Sequence, residues 1–311
     1  MPTDTPPAIA IRNLTKRYQN TLAVDHLTLD IAPGTLFGFL GPNGAGKTTT
    51  ICMLLGLVTP TAGTATILGY DILRERARIA PRIGAIVEVP AFYSYLTGAQ
   101  NLDVFARCST ITLSKARIAA LLDLVGLQDR GHERVQGYSL GMKQRLGIAA
   151  TLVSNPDILF LDEPTNGLDP IGTMAMRQLL LRLGAEGYTI FLSSHQLREV
   201  EQVCSDVAII QRGVVHVHGR VRDLLAPSDQ YAIEVQSVPE ALTVLNAYPH
   251  VNAVRHDDGW ITITSPQQEI PALVRVLSQA DVAIYQIIRQ QMTLEDLFLG
   301  ATKDASPLRN G

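Results

Sequence analysis

The residues best suited to chemistry are Gly41, Pro42, Asn43, Gly44, Ala45, Gly46, Lys47, Thr48 and Thr49, which directly follow the apolar stretch Leu36–Leu40. Glycines at 41, 44 and 46 permit positive φ and a close backbone approach, so consecutive amide N–H groups can point inward at an anion. Lys47 supplies a point charge for β- and γ-phosphate oxygens, and the Thr48 hydroxyl supplies a ligand for a magnesium ion that bridges them. The residues that follow, Thr50-Ile51-Cys52-Met53-Leu54-Leu55, continue as an apolar-faced helix. A buried strand, a glycine-rich loop and a helix in that order form a phosphate cradle, so the implied ligand is a nucleoside triphosphate, ATP or GTP.

A second set of residues points to hydrolysis. Ile158-Leu159-Phe160-Leu161 has the continuous apolar character of a strand buried on both faces, and it ends in Asp162-Glu163-Pro164. Carboxylates at the C-terminal end of such a strand face the ligand crevice. Asp162 is suited to holding magnesium through water, and Glu163, one residue on, to polarising the water that attacks the γ-phosphate. Between the two sets lies Tyr138-Ser139-Leu140-Gly141-Met142-Lys143-Gln144-Arg145, which read by itself is a helix start capped by Ser139.

With that segment in place the chain resembles the ATPase subunit of an ATP-binding cassette (ABC) transporter, whose signature is Leu-Ser-Gly-Gly-Gln. Tyr138, Leu140 and Met142 depart from the signature, whereas Ser139 and Gly141 keep it. In that family the segment opens a helix whose N-terminus caps the γ-phosphate held by the opposite subunit, in line with the affinity of helix N-termini for phosphate. The resemblance assigns further residues. Tyr18 corresponds to the aromatic that stacks on adenine; the lesser alternative is a core or edge-strand tyrosine. Asn166-Gly167-Leu168-Asp169 corresponds to the loop that crosses the dimer interface, and His195 to the switch histidine at the γ-phosphate.

Glu88 stands where the family has a glutamine that touches magnesium and the attacking water. It follows the strand 83–87 and adds a negative charge near the metal, unless the register differs slightly. Together with Pro90, Ala91, Phe92, Tyr93, Leu96, Thr97 and Gly98, it is similar to the bacitracin-resistance and lantibiotic-immunity ATPases. The resemblance therefore implies a MgATP hydrolase, with ATP and Mg2+ as cofactors, working with a second copy of itself or a related subunit. It also implies a polytopic membrane permease as partner, export of a peptide antibiotic, drug or other hydrophobic compound, and a cytoplasmic location at the inner face of the membrane. A soluble cassette ATPase acting on nucleic acid or the ribosome is the alternative. Against it stand a single phosphate loop, no heptad run and no basic tail.

Three sections position these residues. Alternating apolar positions over 9–66 predict an antiparallel sheet. Residues 71–155 are mainly helical and include the family's helical arm, about 90–155, with capped helix starts at Asn101 and Ser114. Phe92 and Tyr93 sit between the Glu88 loop and the arm, either as exposed anchors for a membrane partner or as core residues. The resemblance implies that residues 1–222 form an α/β nucleotide-binding domain of P-loop NTPase, ABC type, with a RecA-like core. Beyond Gly219 the pattern is strand 231–235, helix 239–247, a hairpin turning at Asp257-Asp258-Gly259, helix 270–280 and strand 282–288. That order predicts a small ferredoxin-like α+β domain over 223–300, with no catalytic spacing and a regulatory, dimer-stabilising or purely structural role. A terminal helix over 294–299 would pack back on the main domain, and 301–311 would be a disordered tail.

Composition narrows the class. A chain of 311 residues, 46% hydrophobic and 18% charged, can bury a large core. Its net charge of −3 gives no basic footprint for nucleic acid. Three scattered cysteines, Cys52, Cys108 and Cys204, suit reduced thiols rather than a disulfide framework. His216 and His218 share a face of a probable strand but lack a third ligand, and read as surface residues. The first residues show neither a basic start nor an apolar core, so no secretion signal is expected. The apolar run 146–161 is interrupted by Asn155, Pro156 and Asp157, which argues against a membrane span.

Overall fold

A computed structural model of the chain describes residues 6–225, 229–248, 251–255, 259–290 and 293–303. These group into two compact units. The first reaches Val221, and residues from Phe298 group with it; the second is Arg222–Leu297.

The first unit begins with β1 (Ile9–Tyr18) and β2 (Thr21–Ile31). Their alternating apolar side chains, Ile9, Ile11, Val24, Leu27, Leu29 and Ile31 among them, are all buried, as a sheet with one covered face requires. β3 (Leu36–Leu40) is buried at every position and runs through the glycine-rich loop into α1 (Lys47–Leu54). The chain then returns as β4 (Ala62–Ile67) and β5 (Tyr70–Asp71) to complete an antiparallel sheet of order β2-β1-β4-β5. After α2 (Arg76–Ile79) and β6 (Ile83–Ile86) come the helices of the arm, α3 (Gly98–Cys108), α4 (Lys115–Leu124) and α5 (Leu140–Thr151). β7 (Ile158–Asp162), α6 (Pro170–Ala185), β8 (Thr189–Ser194), α7 (Leu197–Val203), β9 (Asp206–Gln211) and β10 (Val214–Arg220) follow, and α8 (Val221–Leu224) runs from this unit into the second.

The central sheet has the order β10-β9-β3-β8-β7-β6 and is parallel except for β10. Phe191 on β8 is packed by Phe37, Phe39 and Phe160 at ring-centroid distances of 5.4, 5.4 and 5.6 Å. Each fully buried aromatic contributes about 1.5–3 kcal/mol, and the rings lock the register of the three central strands. That register sets Asp162 opposite Ser193 and Leu40 opposite Ser194. The C-terminal ends of β3, β7 and β8 thus lie side by side, at the edge of an α/β sheet where ligands bind.

Three sequence expectations need correction here. The first arm helix starts at Gly98, not Asn101, because Thr97 and Gln100 form a reciprocal capping box. Asn101 lies inside the helix, fully buried, where its side chain bonds the backbone N–H and C=O of Tyr93 at 2.9 and 3.1 Å. Strand β6 ends at Ile86 rather than at 87. A bulge between Val215 and Val217 interrupts β10, so the alternation that placed His216 and His218 on one face is broken at His216.

The second unit has β11 (Gln230–Val235), α9 (Val238–Asn246), β12 (Asn252–Arg255), β13 (Trp260–Thr264), α10 (Ile270–Gln279) and β14 (Ile284–Arg289). Its sheet has the order β12-β13-β11-β14 and is antiparallel throughout, a ferredoxin-like arrangement. Tyr231, Ile233, Ile261 and Ile263 face a core closed by Leu245, Leu273 and Leu277 of the two helices. The hairpin turn at Asp257 and Asp258 lies outside the described residues. α11 (Leu294–Lys303) carries helix into the segment read from sequence as a disordered tail, so 301–303 are helical; 304–311 lie outside the described residues.

Candidate functional site

The loop Gly41–Gly46 is shaped by two close packings and two left-handed residues. Gly44 (φ 79°) and Gly46 (φ 106°) take positive φ, whereas Gly41 does not. A Cβ on Gly41 would come 2.2 Å from the carbonyl oxygen of Ile210, so this glycine serves contact with β9 rather than a left-handed turn. A Cβ on Gly46 would meet the Ala23 carbonyl oxygen at 2.4 Å, and one on Gly44 would meet nothing within 4 Å. Pro42, Asn43 and Gly44 are exposed, while Ala45, Gly46 and Lys47 are buried. Gly46 caps α1 without a side-chain acceptor, so the first amides of the helix face outward with their partial positive charge, as an anion site needs.

Lys47, 6% exposed, donates from Nζ to the carbonyls of Gly41 (2.8 Å) and Pro42 (3.2 Å) and reaches Glu163 Oε1 at 3.1 Å. The Thr48 hydroxyl donates to Asp162 Oδ2 at 2.8 Å; Thr49 is half-buried one position on. The other oxygen of Asp162 accepts a short hydrogen bond from the Ser193 hydroxyl. Glu163 sits at φ 49°, its backbone N–H shared between the Ser193 carbonyl (3.2 Å) and hydroxyl (3.1 Å). Its Oε2 accepts from His195 Nδ1 at 2.8 Å. Lys47, Thr48, Asp162, Glu163 and His195 thus form one continuous polar cluster. Ser193 belongs to it and was missed in the sequence; only the register of β7 against β8 reveals it.

Glu88 is exposed at φ 62°, two residues beyond β6. Burial raises the Cys52 thiol pKa, and the charges of Asp162 and Glu88 raise it further, so both carboxylates act on the same helix, α1. Tyr18 is 46% exposed at the end of β1, with Lys16 Nζ 4.8 Å from its ring centroid. Among the described residues no three His, Cys, Asp or Glu side chains are placed to hold a metal by themselves. The oxygen donors Thr48 and Asp162 do suit a hard cation that also takes ligands from phosphate and water.

Ser139 caps α5, its hydroxyl accepting from the Met142 N–H at 3.3 Å. It is exposed, as is Leu140 at 39%, and neither is bonded to the loop or the acids. Tyr138, the signature's first departure, is buried and donates from its hydroxyl to the Arg130 carbonyl at 2.7 Å, tying the segment to the arm. The loop Asn166–Asp169 lies against this segment: a Cβ on Gly167 would be 3.1 Å from Leu140, and one on Gly141 3.7 Å from Leu168. Asp169 caps α6 by accepting from Gly172 N–H at 2.9 Å. Phe92 and Tyr93 divide between the two roles open to them. Phe92 is half-buried edge-on to Phe105 at 5.8 Å, whereas Tyr93 and Tyr95 are 48% and 64% exposed.

The fold and the cluster define a P-loop ATPase, and comparison with known proteins gives its family. Residues 24–166 match the family model described as ABC transporter. The chain is 41% identical to the bacitracin transport ATP-binding protein BcrA of Bacillus licheniformis, over 94% of this chain and 96% of that one. It is 35% identical to the daunorubicin/doxorubicin resistance ATP-binding protein DrrA of Streptomyces peucetius, over 95% and 92%. A solved ATP-binding subunit of an ABC transporter superposes with a TM-score of 0.61 at 29% identity, covering 70% of this chain and 91% of that one. The chain belongs to the ATP-binding proteins of ABC transporters. It is an ATP-binding ATPase subunit, and the alternative of a stand-alone mechanical ATPase on nucleic acid is set aside.

Proposed function

We propose that this chain hydrolyses MgATP as a dimer and drives a separate membrane permease that exports a peptide antibiotic, drug or similar hydrophobic compound. The observation that carries the reading is the placing of Glu163 between Lys47 and His195 at the edge of the central sheet, in a chain 41% identical to a bacitracin transport protein.

Phosphate oxygens compete with Glu163 and the Gly41 and Pro42 carbonyls for the Lys47 ammonium. Once Lys47 turns to phosphate, Glu163 Oε1 is free to accept a proton from the attacking water, while His195 holds Oε2. Magnesium, when bound, neutralises charge between the phosphates; Thr48 and Asp162 would hold it, with Glu88 near its edge. Ser193 fixes Asp162 and the Glu163 backbone, and Tyr18 offers a flat face to the base. Ser139, Leu140, Gly141 and Met142 present an exposed helix N-terminus for the nucleotide of a second subunit, with Asn166, Gly167, Leu168 and Asp169 beside them at the shared boundary.

No helix among the described residues is long and apolar enough to cross a membrane; in this reading the transport path is supplied by the permease. A cleft of about 600 Å³ lined by Ile86, Val89, Pro90, Phe92, Phe105 and Gly147 lies between the Glu88 loop and the arm. Its aliphatic and aromatic side chains suit the apolar face of a short helix of that permease.

Replacing Glu163 with Gln tests the assignment. Turnover should fall about 10²–10⁴-fold, the usual worth of a general base, while ATP affinity holds and an ATP-bound dimer accumulates on size exclusion. Unchanged turnover, or a monomer in saturating ATP, would refute it.

A further inference from the structure

A small cavity between α6 and α7 is lined by Thr165, Arg177, Leu192, Ser194, Glu199 and Val200 among others, with about 10 Å³ open to the centre of a water-sized sphere. Two of the atoms that these residues contribute are buried and lack a hydrogen-bond partner: Nε of Arg177 and Oε2 of Glu199. A guanidinium N–H only donates and a carboxylate oxygen only accepts, so the two are complementary. Left unpaired in a low-dielectric interior, each would be costly. The free space is about that needed by one water, and a water requires two to four polar partners. Ser194, whose Oγ accepts from Gln196 N–H at 3.0 Å, still has a hydroxyl proton to offer as a further partner.

The place of these residues gives the pair its meaning. Arg177 lies two turns into α6, the helix that Asp169 caps at the end of loop 166–169. Glu199 is in the first turn of α7, four residues after His195. Thr165 follows the Glu163-Pro164 pair, and Asn166 N–H bonds the Glu163 carbonyl at 3.0 Å. One polar link across the cavity therefore ties the helix behind the interface loop to the helix behind the catalytic histidine.

We propose that Arg177 and Glu199, joined through one internal water, are positioning residues that hold loop 166–169 and His195 in fixed relation, so that closure of the subunit pair is registered at the hydrolytic site. Neither residue touches nucleotide in this scheme, so their loss alters kcat and ATP-driven pairing but not nucleotide affinity. The inference rests on the dimeric ATPase reading, and its test separates the two.

Arg177→Met and Glu199→Gln are compared with the parent for ATP affinity, kcat and thermal midpoint, and again in a Glu163→Gln background for ATP-dependent pairing. ATP affinity within twofold, kcat lowered about tenfold and weakened pairing are expected. The double variant Arg177→Met/Glu199→Leu, which removes the whole link, should lose no more kcat and pairing than either single variant, and Arg177→Lys should lose less than Arg177→Met. A lowered thermal midpoint with kcat and pairing unchanged, or losses that simply multiply in the double variant, would overturn the proposal. If Arg177→Met fails to fold, Arg177→Lys and Glu199→Gln give the same readings. A Glu163→Gln parent that never pairs in ATP sinks the dimer reading instead, whatever the other variants do.

Discussion

At the scale of single residues, Glu163, the proposed general base, sits at positive φ. A non-glycine residue at positive φ costs about 1–3 kcal/mol, and here it is held by two bonds from its backbone N–H to Ser193. The same serine donates to Asp162. Ser193→Ala should therefore remove the bond to Asp162 and one of the two bonds to the Glu163 backbone, leaving the carbonyl bond in place. The expected result is a loss of about 1–3 kcal/mol in urea unfolding together with about a tenfold fall in kcat, read from steady-state kinetics, and an ATP affinity that changes less. A stability loss with full turnover would show that the hydroxyl only packs.

At the scale of elements, helices and strands decide how its three thiols behave. Cys108 ends α3 and is exposed, Cys52 is half-buried in α1, and Cys204 follows α7 and is buried. Burial pushes the Cys204 thiol far above the ordinary range, with Asp206 adding to the shift. A thiol-specific reagent at mild alkaline pH should label Cys108 first, Cys52 more slowly, and Cys204 only on unfolding, as mass spectrometry of digests would show. The same shift has a consequence for stability. Above about pH 8.5, the usual thiol value, the unfolded chain gives up the Cys204 proton while the folded chain keeps it. The unfolded state then binds fewer protons, so stability falls as pH rises. A Cys204→Ser variant should show a flatter alkaline decline in its unfolding midpoint.

At the scale of the whole molecule, the arm and the central sheet flank an open cleft beside the Glu88 loop. Val89, 66% exposed, is part of its lining. A charge placed there would oppose an apolar partner without touching the nucleotide cluster. Val89→Asp should keep ATP affinity and folding but lose co-purification with the permease and the transport-linked rise in ATPase activity. Retained complex formation would move the docking surface elsewhere.

The phosphate loop, the acidic strand end and the Ser139 cap were legible in the sequence because each is local, a few adjacent residues fixing a turn, a strand end or a helix start; His195 came only from the family resemblance. The ferredoxin-like order was legible for the same reason, since strand and helix periods differ. What the chain alone left undetermined depends on residues far apart in sequence. Ser193 meets Asp162 only through strand register, and Gly41 answers to Ile210 rather than to its own φ. Phe92 turns inward and Tyr93 outward because Phe105 and Asn101 sit where they do. Arg177 and Glu199 share a cavity only because two helices pack side by side. Local covalent geometry and hydrophobic period write the motifs; the packing of distant segments decides which side chains meet.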